Sequence, residues 1–202
     1  MRTFLTTVGT SLLGNARRSL DPAQPAAVAD QQLSNYLSHA DPTKASAETN
    51  SLSRLLHEGD RVVFLHSQTD EGRQCAEALQ RHFDGQRDYT ATLVGVPDLT
   101  YAESRFKMRG LRSLVATLIS LIRKERASGR EVLVNATGGF KAEIAYATLV
   151  GLLFDVPVYY IHEAFQDIIE MPPTPIGWDN LRKGEIGGGL SQKIGDWESG
   201  AL

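Results

Sequence analysis

The chain has 202 residues, of which 42% are hydrophobic and 22% charged, with a formal net charge of −3. That is an ordinary globular composition, long enough for one domain with a full core. No global basicity advertises a nucleic-acid binder, so an anionic ligand must be held by local features. The single cysteine, Cys75, excludes an intramolecular disulfide and argues against a cysteine-based zinc site; its neighbours Ala76 and Leu79 place it on the apolar face of a helix.

In chain order, β-branched apolar runs alternate with longer helical patterns. Residues 3–8 read as a first strand, followed by Gly9, Thr10 and Ser11 and a helix-compatible stretch over 12–20. Residues 21–29, rich in Pro and Ala, read as a connection or an irregular helix start. A helix is predicted over 43–57, with Leu52, Leu55 and Leu56 on its apolar side and Gly59 ending it. Residues 61–66 are a buried-type second strand. Ser67 and Thr69 then offer N-caps to a helix over about 70–83, with Cys75, Ala78, Leu79 and Phe83 facing inward. A third strand alternates over 89–96. Leu111, Leu114, Val115, Leu118, Ile119 and Ile122 recur at helical spacing, so a long helix runs to Ala127 and stops at Gly129. A fourth strand over 131–135, a tight turn over 136–139, an apolar helix over 140–154, a fifth strand over 156–162 and a short one over 167–171 complete the series.

Strands alternating with helices imply right-handed crossovers. The fold class expected is α/β: a Rossmann-like, doubly wound, mostly parallel sheet flanked by helices. The stretch 144–160 is interrupted by Gly151, Asp155 and Pro157 and is too short to span a membrane. The first eight residues lack the features of a signal peptide, so the expected location is cytoplasmic. After Pro172 the character changes to Pro173 and Pro175, then Gly184, Gly187, Gly188 and Gly189. The expectation is one domain over 1–176, followed by a poorly ordered tail or linker stub over 177–202.

Ligands of open parallel sheets bind outside the carboxyl ends of the strands. Two loops qualify: Val8-Gly9-Thr10-Ser11-Leu12-Leu13-Gly14-Asn15 and Asn135-Ala136-Thr137-Gly138-Gly139-Phe140-Lys141-Ala142-Glu143. Both run from a strand through small or hydroxylated residues into a helix start. Glycine lets a phosphate or base approach the backbone, and first-turn amides at the positive end of a helix favour an anion. Thr10, Ser11 and Thr137 add hydroxyls, and Lys141 adds a cation. The same residues also fit a plain strand-to-helix turn with a capping hydroxyl. Neither loop is a dinucleotide or Walker fingerprint, which disfavours a nicotinamide-dinucleotide enzyme.

The segment Asn135-Ala-Thr-Gly-Gly-Phe-Lys-Ala-Glu-Ile-Ala-Tyr-Ala-Thr148 resembles the signature of CARF (CRISPR-associated Rossmann fold) domains in type III CRISPR ribonucleases and ring nucleases. Val8-Gly-Thr-Ser-Leu-Leu13, Ala47-Glu-Thr-Asn-Ser-Leu52, Leu65-His-Ser-Gln-Thr-Asp-Glu-Gly72 and Val158-Tyr-Tyr-Ile-His-Glu163 also resemble family segments, and the similarity runs from about Arg2 to Ile176. The resemblance implies a homodimer that holds cyclic tetra-adenylate over its two-fold axis. The tail after Trp178 is too Gly-rich for a helix-turn-helix and no stretch is long enough to span, so neither DNA nor a membrane is an expected partner. Some members cut the ring by attack of a ribose 2′-hydroxyl on the adjacent phosphate, which needs neither metal nor cofactor. Carried over by motif, Ser11 contacts the ribose or scissile phosphate and Lys141 neutralises developing charge. The ligand-binding set implied is Gly9, Thr10, Ser11, Leu12, Gln68, Thr69, Arg105, Arg109, Asn135, Thr137, Gly138, Gly139, Phe140 and Lys141.

Other residues carry weaker signals. His66 and His162 stand at strand ends, where a histidine is more often a hydrogen-bonded structural group than an acid or base. Arg105, Lys107 and Arg109 form a basic cluster that fits a solvated face or a loop closing over the ring. Tyr159 and Tyr160 fit core or interface better than a stacking platform. Arg61 and His66 have the spacing of a HEPN ribonuclease motif but lie in a strand, which makes the match coincidental. The competing functions are a non-cleaving sensor that regulates an effector, and an α/β enzyme for a small phosphorylated substrate.

Overall fold

The computed structural model describes residues 1–20, 27–86, 88–100, 109–161 and 167–171. In chain order the elements are β1 (Arg2–Thr7), α1 (Ser11–Ser19), α2 (Asp30–His39), α3 (Pro42–Ala45), α4 (Ala47–Leu55), β2 (Arg61–His66) and α5 (Asp70–Asp84). There follow β3 (Thr90–Gly95), α6 (Leu111–Ala127), β4 (Glu131–Asn135), α7 (Lys141–Phe154), β5 (Val158–Tyr160) and β6 (Ile169–Glu170). The sheet order is β3-β2-β1-β4-β5-β6. All neighbours pair in parallel except β5 and β6, which are antiparallel. This is the expected doubly wound α/β sheet. The chain winds outward from β1 to β3, then crosses back to place β4 on the other side of β1, so the topological switch point lies between β1 and β4.

Both sheet faces are covered, as the unbroken apolar runs of the central strands require. Phe4, Val62, Phe64 and Leu133 point to one side, where they pack with Leu12, Leu33, Leu52 and Leu79 from four helices. Leu5, Val63, Leu65, Val132 and Val134 point to the other, against Leu114, Leu118 and Ile122 of α6 and Ala147 and Val150 of α7. Alternate residues of one strand thus serve two cores, the period-two geometry of a pleated strand. Cys75 is fully buried in the first core, and desolvation pushes its thiol up to about 12, an inert packing residue.

The predicted helix over 43–57 is corrected to two short helices. Ser46 interrupts them in an extended conformation, φ −156° and ψ 169°. Its hydroxyl accepts from the Thr49 amide at 3.0 Å, and its own amide donates to Thr49 Oγ1 at 2.9 Å. This is a capping box with threonine in place of the usual glutamate, so the segment restarts a helix instead of continuing one. Helix α2, over Asp30–His39, occupies a stretch to which the sequence pattern assigns no element. Its polar sequence offers only Leu33 and Leu37 to the core, too few to stand out as a periodic face. The fifth strand is shorter than expected: Asp155, left-handed at φ 51°, ends α7, and pairing begins only at Val158.

The amino ends of the strands carry an ionic clamp. Buried Glu125 of α6 accepts from Thr3 Oγ1 at 2.9 Å and lies 3.6 Å from Arg61 Nη1 and 3.8 Å from Arg130 Nε. Arg2 pairs with Asp60 beside it. Arg61 is thereby engaged at the opposite end of β2 from His66.

Candidate functional site

At the carboxyl ends of β1 and β4 the two glycine loops lie side by side. Thr7 Oγ1 donates to the Gly138 carbonyl at 2.6 Å, so the last residue of β1 holds the loop that follows β4. A Cβ on Gly138 would collide with Glu48 Oε1 and lie 2.6 Å from the Thr7 carbonyl oxygen, so only glycine fits. Gly139 follows at φ +98°, the left-handed turn that delivers the chain into α7. Helices α1 and α7 therefore begin beside each other at the switch point, with their amino ends at the top of the sheet.

Two carboxyls lie beneath these loops. Glu48, in the first turn of α4, is fully buried; its Oε1 accepts from the Gly9 amide at 2.8 Å and its Oε2 has no partner among the described residues. Desolvation raises its pKa, opposed by the Gly9 amide and the Ser46 and Ser11 hydroxyls. Glu143, in the first turn of α7, is 3% exposed and accepts from the Phe140 amide at 3.3 Å. Burial raises it to about 7; the Phe140 amide lowers it, and the charge of Glu48 adds to the rise. Sequence reasoning names neither as a site residue, although both lie in the segments that carry the family resemblance.

A cleft of about 220 Å³ opens over the switch point, lined by Val8, Gly9, Thr10, Ser67, Glu71, Gly139, Phe140 and Glu143. Of the residues predicted to bind, Gly9, Thr10, Gly139 and Phe140 line it directly. The Thr10 hydroxyl does not cap α1. Lys141 is exposed at the first position of α7, and Phe140 is 43% exposed beside it. The Leu12 side chain is fully buried in the core, which leaves only its backbone at the helix start. Ser11 Oγ accepts from the Ala47 amide at 3.1 Å, which ties α1 to the amino end of α4.

The remaining candidates have internal partners. Asn135, fully buried, donates to Ser51 Oγ at 2.8 Å and accepts from Thr137 Oγ1 at 2.8 Å. Thr137 Oγ1 in turn accepts from the Ile161 amide at 3.2 Å, so this chain of bonds sets the β4 loop against α4 and β5. Thr69 caps α5 through the Gly72 amide at 3.1 Å. Gln68 Oε1 accepts from the Asp98 amide at 3.1 Å. His66 Nδ1 donates to the Ser67 carbonyl at 2.8 Å, a structural role. Arg109 is exposed just before α6 and is not among the residues lining the cleft. Arg105, Lys107, His162 and the tail over 177–202 lie outside the described residues. Among the described residues no helix is long and apolar enough to cross a membrane, and no three His, Cys, Asp or Glu groups are placed to hold a metal ion.

The family model described as "CRISPR-associated protein (Cas_APE2256)" matches residues 43–174, well over half of the chain. The chain belongs to this family. This CRISPR-associated family and the doubly wound sheet agree with the resemblance of the sequence to CARF proteins. Among solved structures, protein VC1899 from Vibrio cholerae is similar at a TM-score of 0.48 and 13% identity, with 87% of this chain and 34% of that one covered. Enterococcus italicus Csm6 bound to cyclic hexa-2′-fluoro-hexa-dAMP is similar at a TM-score of 0.49 and 10% identity, with 85% of this chain and 41% of that one covered. This Cas_APE2256-family chain thus spans well under half the length of either structure.

Proposed function

We propose that this cytoplasmic protein binds a cyclic oligoadenylate, most simply the four-adenylate ring, at the top of the sheet in a homodimer. It then cleaves the ring without a metal, which switches off type III CRISPR signalling. The observation that carries this reading is the meeting of two glycine loops and two helix starts at one switch point, in a chain of a CRISPR-associated family. Amides of both first turns and the exposed Lys141 suit phosphodiester oxygens, and the cleft beneath them is large enough to receive a base. A two-fold dimer offers the same groups twice to a ring that is itself symmetric.

In the cleavage step a ribose 2′-oxygen attacks the adjacent phosphorus. A 2′,3′-cyclic phosphate forms as the P–O5′ bond breaks, and the proton lost by the 2′-hydroxyl balances the one gained by the 5′-oxygen. The protein's part is to align the attacking and leaving oxygens and to stabilise the extra negative charge, the role proposed for Lys141. A second reading, a sensor that binds without cutting, is favoured by one observation: the Ser11 hydroxyl already accepts from the Ala47 amide. Purified protein mixed with cyclic tetra-adenylate in EDTA, with products separated by chromatography, distinguishes the two. Linear di-adenylate ending in a cyclic phosphate supports cleavage, an intact bound ring supports the sensor, and no binding to any ring size overturns both.

A further inference from the structure

The ionisable groups that line the cleft have the wrong sign for a phosphate. Glu71 and Glu143 are both carboxylic acids, and no Lys or Arg among the described residues lines it. Phosphodiester oxygens therefore belong on the rim, with the helix-start amides and Lys141, and the cleft itself suits a neutral group. Its volume of about 220 Å³ fits one nucleobase. Glu143 is 3% exposed yet reaches the cleft wall. Its Oε1 takes the Phe140 amide, while Oε2 lies beside Gly139, 2.5 Å from where a Cβ would stand.

We propose that Glu143 in its protonated form is the adenine-selecting group of the site, a deepening that rests on the ring-binding reading above. A neutral carboxyl has one O–H donor and one carbonyl acceptor side by side. Adenine shows the complement on its N6/N7 edge: the N6 amino group donates, and N7 accepts. Two parallel hydrogen bonds result, in the pattern by which a Gln or Asn amide reads adenine. On the same edge hypoxanthine presents two acceptors, O6 and N7, and leaves the carbonyl oxygen of the carboxyl without a donor.

The surroundings of Glu143 keep its proton in place. Burial removes water, and the charge of buried Glu48 of α4 adds to the rise, while Glu71 of α5, also on the cleft wall, is exposed. The cations within reach are directed elsewhere: Arg17 of α1 faces Glu71 at 3.9 Å, and Lys141, on the same helix as Glu143, is exposed. Affinity for the ring should then be full in mild acid and fall as pH rises through about 7, where Glu143 ionises.

The test is calorimetric binding of cyclic tetra-adenylate and of the ring with hypoxanthine in place of adenine, from pH 5.5 to 8.5. Wild type and the variants Glu143→Gln and Glu143→Ala are compared, with the melting temperature of each as a folding check. The expected result is a wild-type affinity that declines above pH 7 and falls roughly ten- to hundred-fold for the hypoxanthine ring at low pH. Glu143→Gln, which keeps a donor and an acceptor, should bind the adenine ring with no pH dependence, and Glu143→Ala should lose the preference for adenine. A wild-type protein that binds both rings equally, or binds the adenine ring equally at every pH, overturns the assignment and leaves ring binding intact. Failure of wild type to bind any ring overturns both.

Discussion

Glu48 accepts the Gly9 amide at 2.8 Å while its carboxyl fills the space that a side chain on Gly138 would need. One buried acid thus spaces the two loops of the switch point from below. Gly138→Ala should break this arrangement, because the added methyl meets the Thr7 backbone oxygen at 2.6 Å as well as the carboxyl. Overpacking of this kind costs on the order of 1–3 kcal/mol, read in urea unfolding, and ring binding should fall with it. The contrasting variant is Gly14→Ala inside α1, where a methyl meets nothing within 4 Å. It should stabilise by about 0.5–1 kcal/mol through helix propensity alone. Equal stability of the two variants would show that the loops are not spaced by Glu48.

The raised carboxyls predict an unusual pH dependence of stability. Glu143 titrates near 7 in the folded protein against an ordinary value of 4.5, so between those values the native state holds a proton that the unfolded chain has released. Stability therefore falls as pH rises through that window, by on the order of 3 kcal/mol from this residue. Glu48 acts in the same direction. Glu143→Gln and Glu48→Gln should each flatten the slope, for Glu143 between about pH 4.5 and 7. Parallel curves for wild type and both variants, from denaturant unfolding between pH 4.5 and 8, would refute the assignment.

How far the sequence reveals this site depends on the range of each interaction. Strands β1, β2 and β4 are legible because Phe4, Leu5, Val62, Val63, Val132 and Val134 are buried from both sides and leave a continuous apolar signature. Both switch-point loops are legible because glycine before a helix start is a local pattern. The break at Ser46 is not, because a threonine completes its capping box where the pattern expects an acid. Nor is the joint role of Glu48 and Glu143, since carboxyls 95 positions apart meet only once β1 and β4 are neighbours. Ser11, Gln68 and Asn135 look like ligand groups by residue type, yet their internal partners are set by tertiary contacts.

Asn135 should be irreplaceable for stability. It joins Ser51 of α4 to Thr137 through both ends of its amide, with no exposure to water. Asn135→Ala takes a donor from the buried Ser51 hydroxyl and an acceptor from the half-buried Thr137 hydroxyl, a cost of about 2–3 kcal/mol in thermal or urea unfolding. A loss below about 0.5 kcal/mol would mean that the network is not needed to hold the β4 loop.

Ser11 and Lys141 separate holding the fold from acting on the ligand. Ser11→Ala removes the acceptor for the Ala47 amide at the start of α4, so it should cost about 1 kcal/mol of stability whether or not the ring is cut. Lys141 is exposed and makes no ion pair among the described residues, so Lys141→Ala should leave stability within about 0.5 kcal/mol. On the ligand the order reverses. Loss of one charge-stabilising group should slow cleavage by on the order of a hundredfold and flatten the salt dependence of ring binding. Single-turnover cleavage and melting temperature, measured together for both variants, separate the two roles. A Lys141→Ala protein that cuts at the wild-type rate would remove Lys141 from the chemistry. A Ser11→Ala protein that loses stability yet still cuts would leave Ser11 with the structural role seen in its bond to Ala47.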